Sequence, residues 1–175
     1  MHVSIVLTDD VSEALLLRAL LENFGAQVHL HAIGKPSDFF TAFDCFGTPA
    51  DLAIIAGHGD EGGLIFPEMG EGVDTLVLPN NRITPGLLTG FKTSLPKVVI
   101  STACDSGRPD FARAFHAAGA ELYIAPRDYP TGSVVPVLLA LALHRVIEQG
   151  SGWPAAIAAA NAAFNEDDGF VVFPA

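Results

Sequence analysis

The chain is poor in cysteine and in positive charge. Its 175 residues contain two cysteines, Cys45 and Cys104, which form no C-x-x-C pair. A disulfide-built fold is thereby excluded, and in a reducing compartment both are expected as free thiols. Nine Lys and Arg stand against twenty Asp and Glu, for a net charge of −11. Such a surface repels phosphate backbones and anionic lipid. No basic cluster or basic–aromatic stripe offsets it, so neither nucleic acid nor a membrane is an expected partner. Long apolar runs are also missing. The longest, residues 134–143, contains Pro136 and ends at His144 and Arg145, too short to cross ~30 Å of hydrocarbon. The opening MHVSIVLTDD lacks a basic segment, a long apolar segment and a small-residue cleavage site. No secretory leader and a cytoplasmic location are therefore expected.

Half the residues are apolar and 17% are charged, the composition of a chain with a sizeable core. No repeat, low-complexity stretch or linker divides it, so one unit over 1–175 is expected. Short β-branched or continuous apolar runs at 2–7, 26–33, 50–57, 97–102 and 121–125 predict strands. The run at 169–174 suggests a terminal edge strand. Helical spacing predicts helices over 11–25 (with Ser12 as N-cap), 36–46, 84–91, 108–120, 131–149 and 153–164. Two β runs, 64–66 and 75–78, separated by a Gly/Glu-rich turn, suggest a hairpin after the third strand. The alternation gives an α/β fold: a three-layer αβα sandwich around a mostly parallel sheet.

Ligands of such sheets bind at the carboxyl ends of the strands. His58 follows the strand at 50–57, Cys104 the strand at 97–102, and Arg127 and Asp128 the strand at 121–125. If the first two strands are neighbours, one rim carries them all. A thiol needs a base to become a nucleophile at neutral pH, and a histidine within reach can also protonate a leaving amine. Gly59 leaves room for a substrate. Its N–H and that of Cys104 are candidate donors to an oxyanion. Asp105, Ser106, Arg127 and Asp128 are candidate substrate-binding residues by position; for Arg127 the alternatives are a substrate carboxylate and a pair with Asp128, of which the pair is the simpler.

The segments AGHGDEGGLIFP, LPKVVISTACDSG and FARAFHAAGAELYIAP resemble the caspase-like superfamily of cysteine peptidases, which includes caspases, metacaspases, legumains, gingipains, separases and bacterial CHAT domains. Its signature is an apolar strand ending in His-Gly, then another ending in Ala-Cys. Here these are His58–Gly59 and Ala103–Cys104. ACDSG is similar to the ACESG and ACETG forms of legumains and CHAT domains, and GSGWPAAIAAANAA is CHAT-like. The resemblance spans roughly 50–163. It implies a caspase-like fold, a peptide or protein substrate, no cofactor, His58 as base, Cys104 as nucleophile, and Gly59 and Cys104 amides as oxyanion donors. Thr102 stands where metacaspases carry an acid. The resemblance equally allows a non-catalytic relative that binds a peptide or small ligand.

Other patterns carry less. Asp9–Asp10 after the first strand resembles the acidic pair of receiver domains, but Gly57–His58 replaces the phosphoacceptor aspartate and Ala125 the lysine. Helix capping is the simpler role for that pair. His58, Cys104 and a nearby carboxylate such as Asp60 have no metal-ligand spacing to support them, so no metal is expected there. The glycines at 57, 59, 62 and 63 do not form a dinucleotide fingerprint. His29 and His31 share one face of their strand and read as structural.

Overall fold

The computed structural model describes residues 1–68, 70–73, 78–90 and 95–175. In chain order the elements are β1 (His2–Leu7), α1 (Val11–Asn23), β2 (Gln27–Ala32), α2 (Pro36–Phe39), β3 (Asp44–Cys45), β4 (Thr48–Pro49), β5 (Leu52–Ala56), β6 (Gly59–Asp60) and β7 (Gly63–Ile65). They continue with β8 (Arg82–Ile83), α3 (Pro85–Leu88), β9 (Val98–Ser101), α4 (Pro109–Ala117), β10 (Leu122–Pro126), α5 (Val134–Ile147), α6 (Trp153–Asn161) and β11 (Phe170–Pro174).

Six strands form the main sheet in the order β11-β10-β9-β5-β1-β2, all parallel except the edge strand β11. The continuous apolar runs of β1, β5 and β10 are buried on both sides, as central parallel strands must be. One face holds Val3, Ile5, Ile54 and Ile100 against α1, α5 and α6. The other holds Val6, Ile55, Val99 and Tyr123 against Phe39, Leu88, Phe111 and Phe115, from α2, α3 and α4. This is the expected three-layer αβα sandwich.

Local corrections follow from backbone chemistry. Asp10, rather than Ser12, caps α1: its Oδ1 accepts the Glu13 N–H at 2.9 Å, because the helix starts at Val11. The predicted helix at 36–46 stops after Phe39. Phe46 and Gly47 adopt φ of 52° and 78°, and this turn folds β3 back on β4. β7 pairs with β6 and β8 in a separate three-stranded sheet. The predicted partner run lies at 75–78, of which 75–77 fall outside the described residues, as does Phe91 of the predicted helix at 84–91. None of the helices among the described residues is long and apolar enough to cross a membrane.

Candidate active site

Three parallel strand ends meet at one rim. β1, β5 and β9 are consecutive in the sheet, and strand addition reverses between β2 on one side and β5 on the other. Such a switch point opens a crevice at the carboxyl ends. Just past those ends stand Thr8–Asp9, His58–Gly59 and Ala103–Cys104.

Short polar bonds hold the three ends together. The Thr8 amide and hydroxyl donate to the Ala56 carbonyl at 3.0 and 3.2 Å. The Thr102 amide donates to the Ile55 carbonyl at 3.0 Å, and its hydroxyl accepts the Gly57 N–H at 3.4 Å. Where an acid is absent, Thr102 therefore serves as a buried cross-strand tie. Gly59 and the Cys104 turn approach closely. A Cβ on Gly59 would overlap the Cys104 carbonyl oxygen and come within 3.0 Å of the Ala103 methyl. The His-Gly and Ala-Cys dipeptides are thus in backbone contact, which sequence spacing alone left conditional.

The His58 side chain is 57% exposed, and its Nε2 lies 4.0 Å from Asp9 Oδ2. Cys104 is half-buried. Burial pushes its thiol pKa up; its own amide pulls it down, and the negative charges of Glu13, Asp105 and Asp128 push it further up.

The turn after Cys104 is firmly built. Asp105 takes a left-handed φ of 53°, and its N–H donates to the Asp128 carbonyl at 2.8 Å. Arg108 Nη1 holds the Asp105 carboxylate at 3.0 Å and donates to the Glu61 carbonyl at 2.9 Å. Ser106 is not on the rim. It is 1% exposed, and its hydroxyl donates to the Ala103 carbonyl at 2.6 Å. It shapes the turn from inside, which corrects its placement among surface-lining residues. The buried Tyr123 hydroxyl donates to the Ser106 carbonyl at 3.0 Å, and burial pushes that phenol's pKa up. Arg127 pairs at 3.7 Å with Glu166, rather than with Asp128. It lines a cleft with Asn161 and Asn165 on the β11 side, because the antiparallel pairing of β10 with β11 sets Arg127 beside Gly169, whose carbonyl accepts its N–H at 2.9 Å.

Glu13 is the site residue that sequence reasoning missed. Asp10 and Glu13 have the spacing of a capping box. The Glu13 carboxyl, however, turns inward toward the Thr102 hydroxyl, and its Oε1 is buried without a hydrogen-bond partner. Burial pushes its pKa up, the Thr102 contact pulls it down, and Asp10 pushes it up again. A carboxyl with a raised folded-state pKa binds protons more tightly folded than unfolded, so it destabilises the fold as pH rises past its ordinary value of 4.5. Glu13→Gln is therefore expected to raise the unfolding midpoint at pH 7 and leave it unchanged at pH 4, as read by thermal melts at the two values.

By sequence the chain matches no protein-family model and no curated protein. By structure it is similar to the Arg-specific cysteine proteinase gingipain R (TM-score 0.65, 17% identity, 99% of this chain and 45% of that one). It is also similar to separase from the separase–securin complex of Saccharomyces cerevisiae (0.63, 9%, 98% and 11%). A third similar structure is a secreted C11 cysteine protease of Bacteroides thetaiotaomicron bound to an irreversible peptide inhibitor (0.59, 12%, 99% and 65%). The chain spans less than two thirds of each of these proteins. Its fold is that of the caspase-like cysteine peptidases.

Proposed function

We propose that this chain is a cysteine-type peptide or amide hydrolase. The observation that carries the reading is the backbone contact between Gly59 and Cys104, which sets a histidine and a thiol at neighbouring strand ends. His58 takes the thiol proton as Cys104 Sγ bonds to the substrate carbonyl carbon. The oxyanion is received by the Gly59 and Cys104 N–H groups. His58 then returns the proton to the departing amine as the C–N bond breaks, leaving a thioester that water hydrolyses. Asp9, beside His58 Nε2, steadies the imidazolium and leaves Nδ1 for the thiol. Exposed pairs of this kind are weak, so Asp9→Asn is expected to cost about threefold to tenfold in kcat/KM, against at least about a hundredfold for His58→Ala.

The field around Cys104 bears on the substrate. Burial first, and the charges of Glu13, Asp105 and Asp128 after it, push the thiol pKa up. The Asp105 carboxylate is already held by Arg108, so a cationic side chain docked near Glu61 and Asp128 would be attracted to those two acids and would also offset the field that suppresses ionisation. A peptide with a basic residue before the scissile bond is the preferred substrate class.

The exposure of His58, 57% open with its Nε2 toward Asp9, favours a second reading, a peptide-binding relative without turnover. Peptides carrying a thiol-directed electrophile after Arg or after Asp separate the two. Hydrolase chemistry predicts modification of Cys104, about tenfold faster with Arg at low salt, the preference shrinking as salt screens it. Modification of Cys104 no faster than that of an unfolded-chain cysteine, with either peptide, leaves only the binding reading.

A further inference from the structure

A second group of ligating side chains lies on the sheet's outer strand, away from the rim. β2 places His29 and His31 on one face, with ring centroids 4.0 Å apart. The β3–β4 hairpin lies against β1 and β2 and delivers Asp44 to the same spot. His31 Nε2 is 3.4 Å from Asp44 Oδ1 and 3.0 Å from the Asp44 carbonyl oxygen. One ligand atom from each of His29, His31 and Asp44 lies within 4.8 Å of the other two. Two ligands bound at ~2.1 Å to a tetrahedral ion are about 3.4 Å apart. The His31–Asp44 pair already has that spacing, held by an Nε2–H that donates to the Asp44 oxygens and must give up its proton before Nε2 can ligate.

The hairpin is clamped over this group at a conformational cost. Phe46 adopts a φ of 52°, a left-handed backbone that disfavours bulky side chains. Two contacts to His29 hold it there. The Phe46 ring stacks on the imidazole at 4.7 Å and 5°, and its N–H donates to His29 Nδ1 at 3.2 Å. The stacking sets the plane of the imidazole, and the amide bond occupies Nδ1 until a ligand takes its place. Because Nδ1 accepts this bond, it is the nitrogen that presents a lone pair. An ion drawing on that pair returns the amide of the exposed Phe46 to water.

We propose that His29, His31 and Asp44 form a zinc-type divalent cation site that staples the β3–β4 hairpin to the edge strand β2. Two imidazoles with one carboxylate suit zinc and disfavour calcium or magnesium, which take all-oxygen sets. Three protein ligands leave a fourth position for water. The strand beneath has no further neighbour in the described sheet, so fastening the hairpin there also protects an edge open to wrong pairing. This inference does not depend on the hydrolase reading.

The test is titration of the chelator-treated full chain with Zn²⁺ by calorimetry and with Co²⁺ by visible absorption. One ion per chain is expected, with Kd tighter than about 10 μM, together with the intense visible bands of tetrahedral Co²⁺. Zinc at a hundredfold excess over Kd should raise the melting midpoint by about 5–10 °C. Asp44→Asn and His29→Gln should each weaken binding at least tenfold and His31→Gln should abolish it, with circular dichroism confirming folded variants. Asp44, 42% exposed, is the replacement least able to disturb the fold. Cys104→Ala must bind zinc as the native chain does. Binding that is lost in Cys104→Ala, that ignores the Asp44 and histidine variants, or that is weaker than about 100 μM overturns the proposal.

Discussion

Cys104→Ala is expected to reduce peptide hydrolysis by at least about 10⁴-fold and to abolish labelling by a peptide-borne electrophile. Cys45→Ala should leave both unchanged. The two thiols are matched controls, because burial raises both pKa values. They differ in access and company. Cys45 is 0% exposed, and its sulfur faces the Gln27 carbonyl at 3.7 Å. Cys104 is partly open at a strand end beside the His58–Gly59 backbone. Only the second can meet a carbonyl carbon and a base together. The measurement is a labelling rate on each variant, with a melt to show that each is folded. Equal labelling of Cys104 and Cys45 in the native chain removes the activated nucleophile.

Gly59→Ala should be nearly as damaging, although it removes no reactive atom. Its new methyl would overlap the Cys104 carbonyl oxygen and press on the Ala103 methyl at 3.0 Å. Both neighbours belong to a turn fixed by Ser106, Asp128 and Arg108, so neither can move cheaply. Overpacking of this kind costs about 1–3 kcal/mol of stability. The larger consequence is catalytic. Separating the His58 segment from the Cys104 turn by about 1 Å is enough to cost roughly a hundredfold in rate. The expected result is a folded protein with a lowered melting midpoint and kcat/KM down at least a hundredfold. Wild-type kinetics in Gly59→Ala would show that this contact does not set the site.

The order of strands and helices was legible because burial on both faces leaves continuous apolar runs, as in residues 52–56 and 122–126. The elements missed are those decided by a few residues of backbone geometry. The 36–46 stretch reads as a helix until Phe46 and Gly47 go left-handed and turn it into a hairpin. Ser106 reads as a candidate substrate-binding residue by position, yet its bonds with Ser101 and Tyr123 hold it inside. Arg127 beside Asp128 suggests a local pair, yet the β10–β11 pairing sets Arg127 against Gly169 and Glu166. The first miss is a local turn, whereas Arg127 and, through Tyr123, Ser106 answer to contacts distant in sequence.

The sequence by itself determined where reactive side-chain types stand, a histidine and a cysteine each following a buried strand, because side-chain type and apolar patterning are local properties. The tertiary structure decided that these strands are neighbours, and that Gly59 touches the Cys104 turn. It also decided that Glu13 enters beneath the site and that His29, His31 and Asp44 converge on an edge strand. Parallel strands pair through crossovers many residues long, so register and adjacency follow from packing the two helical layers, and no local stretch of the chain encodes them.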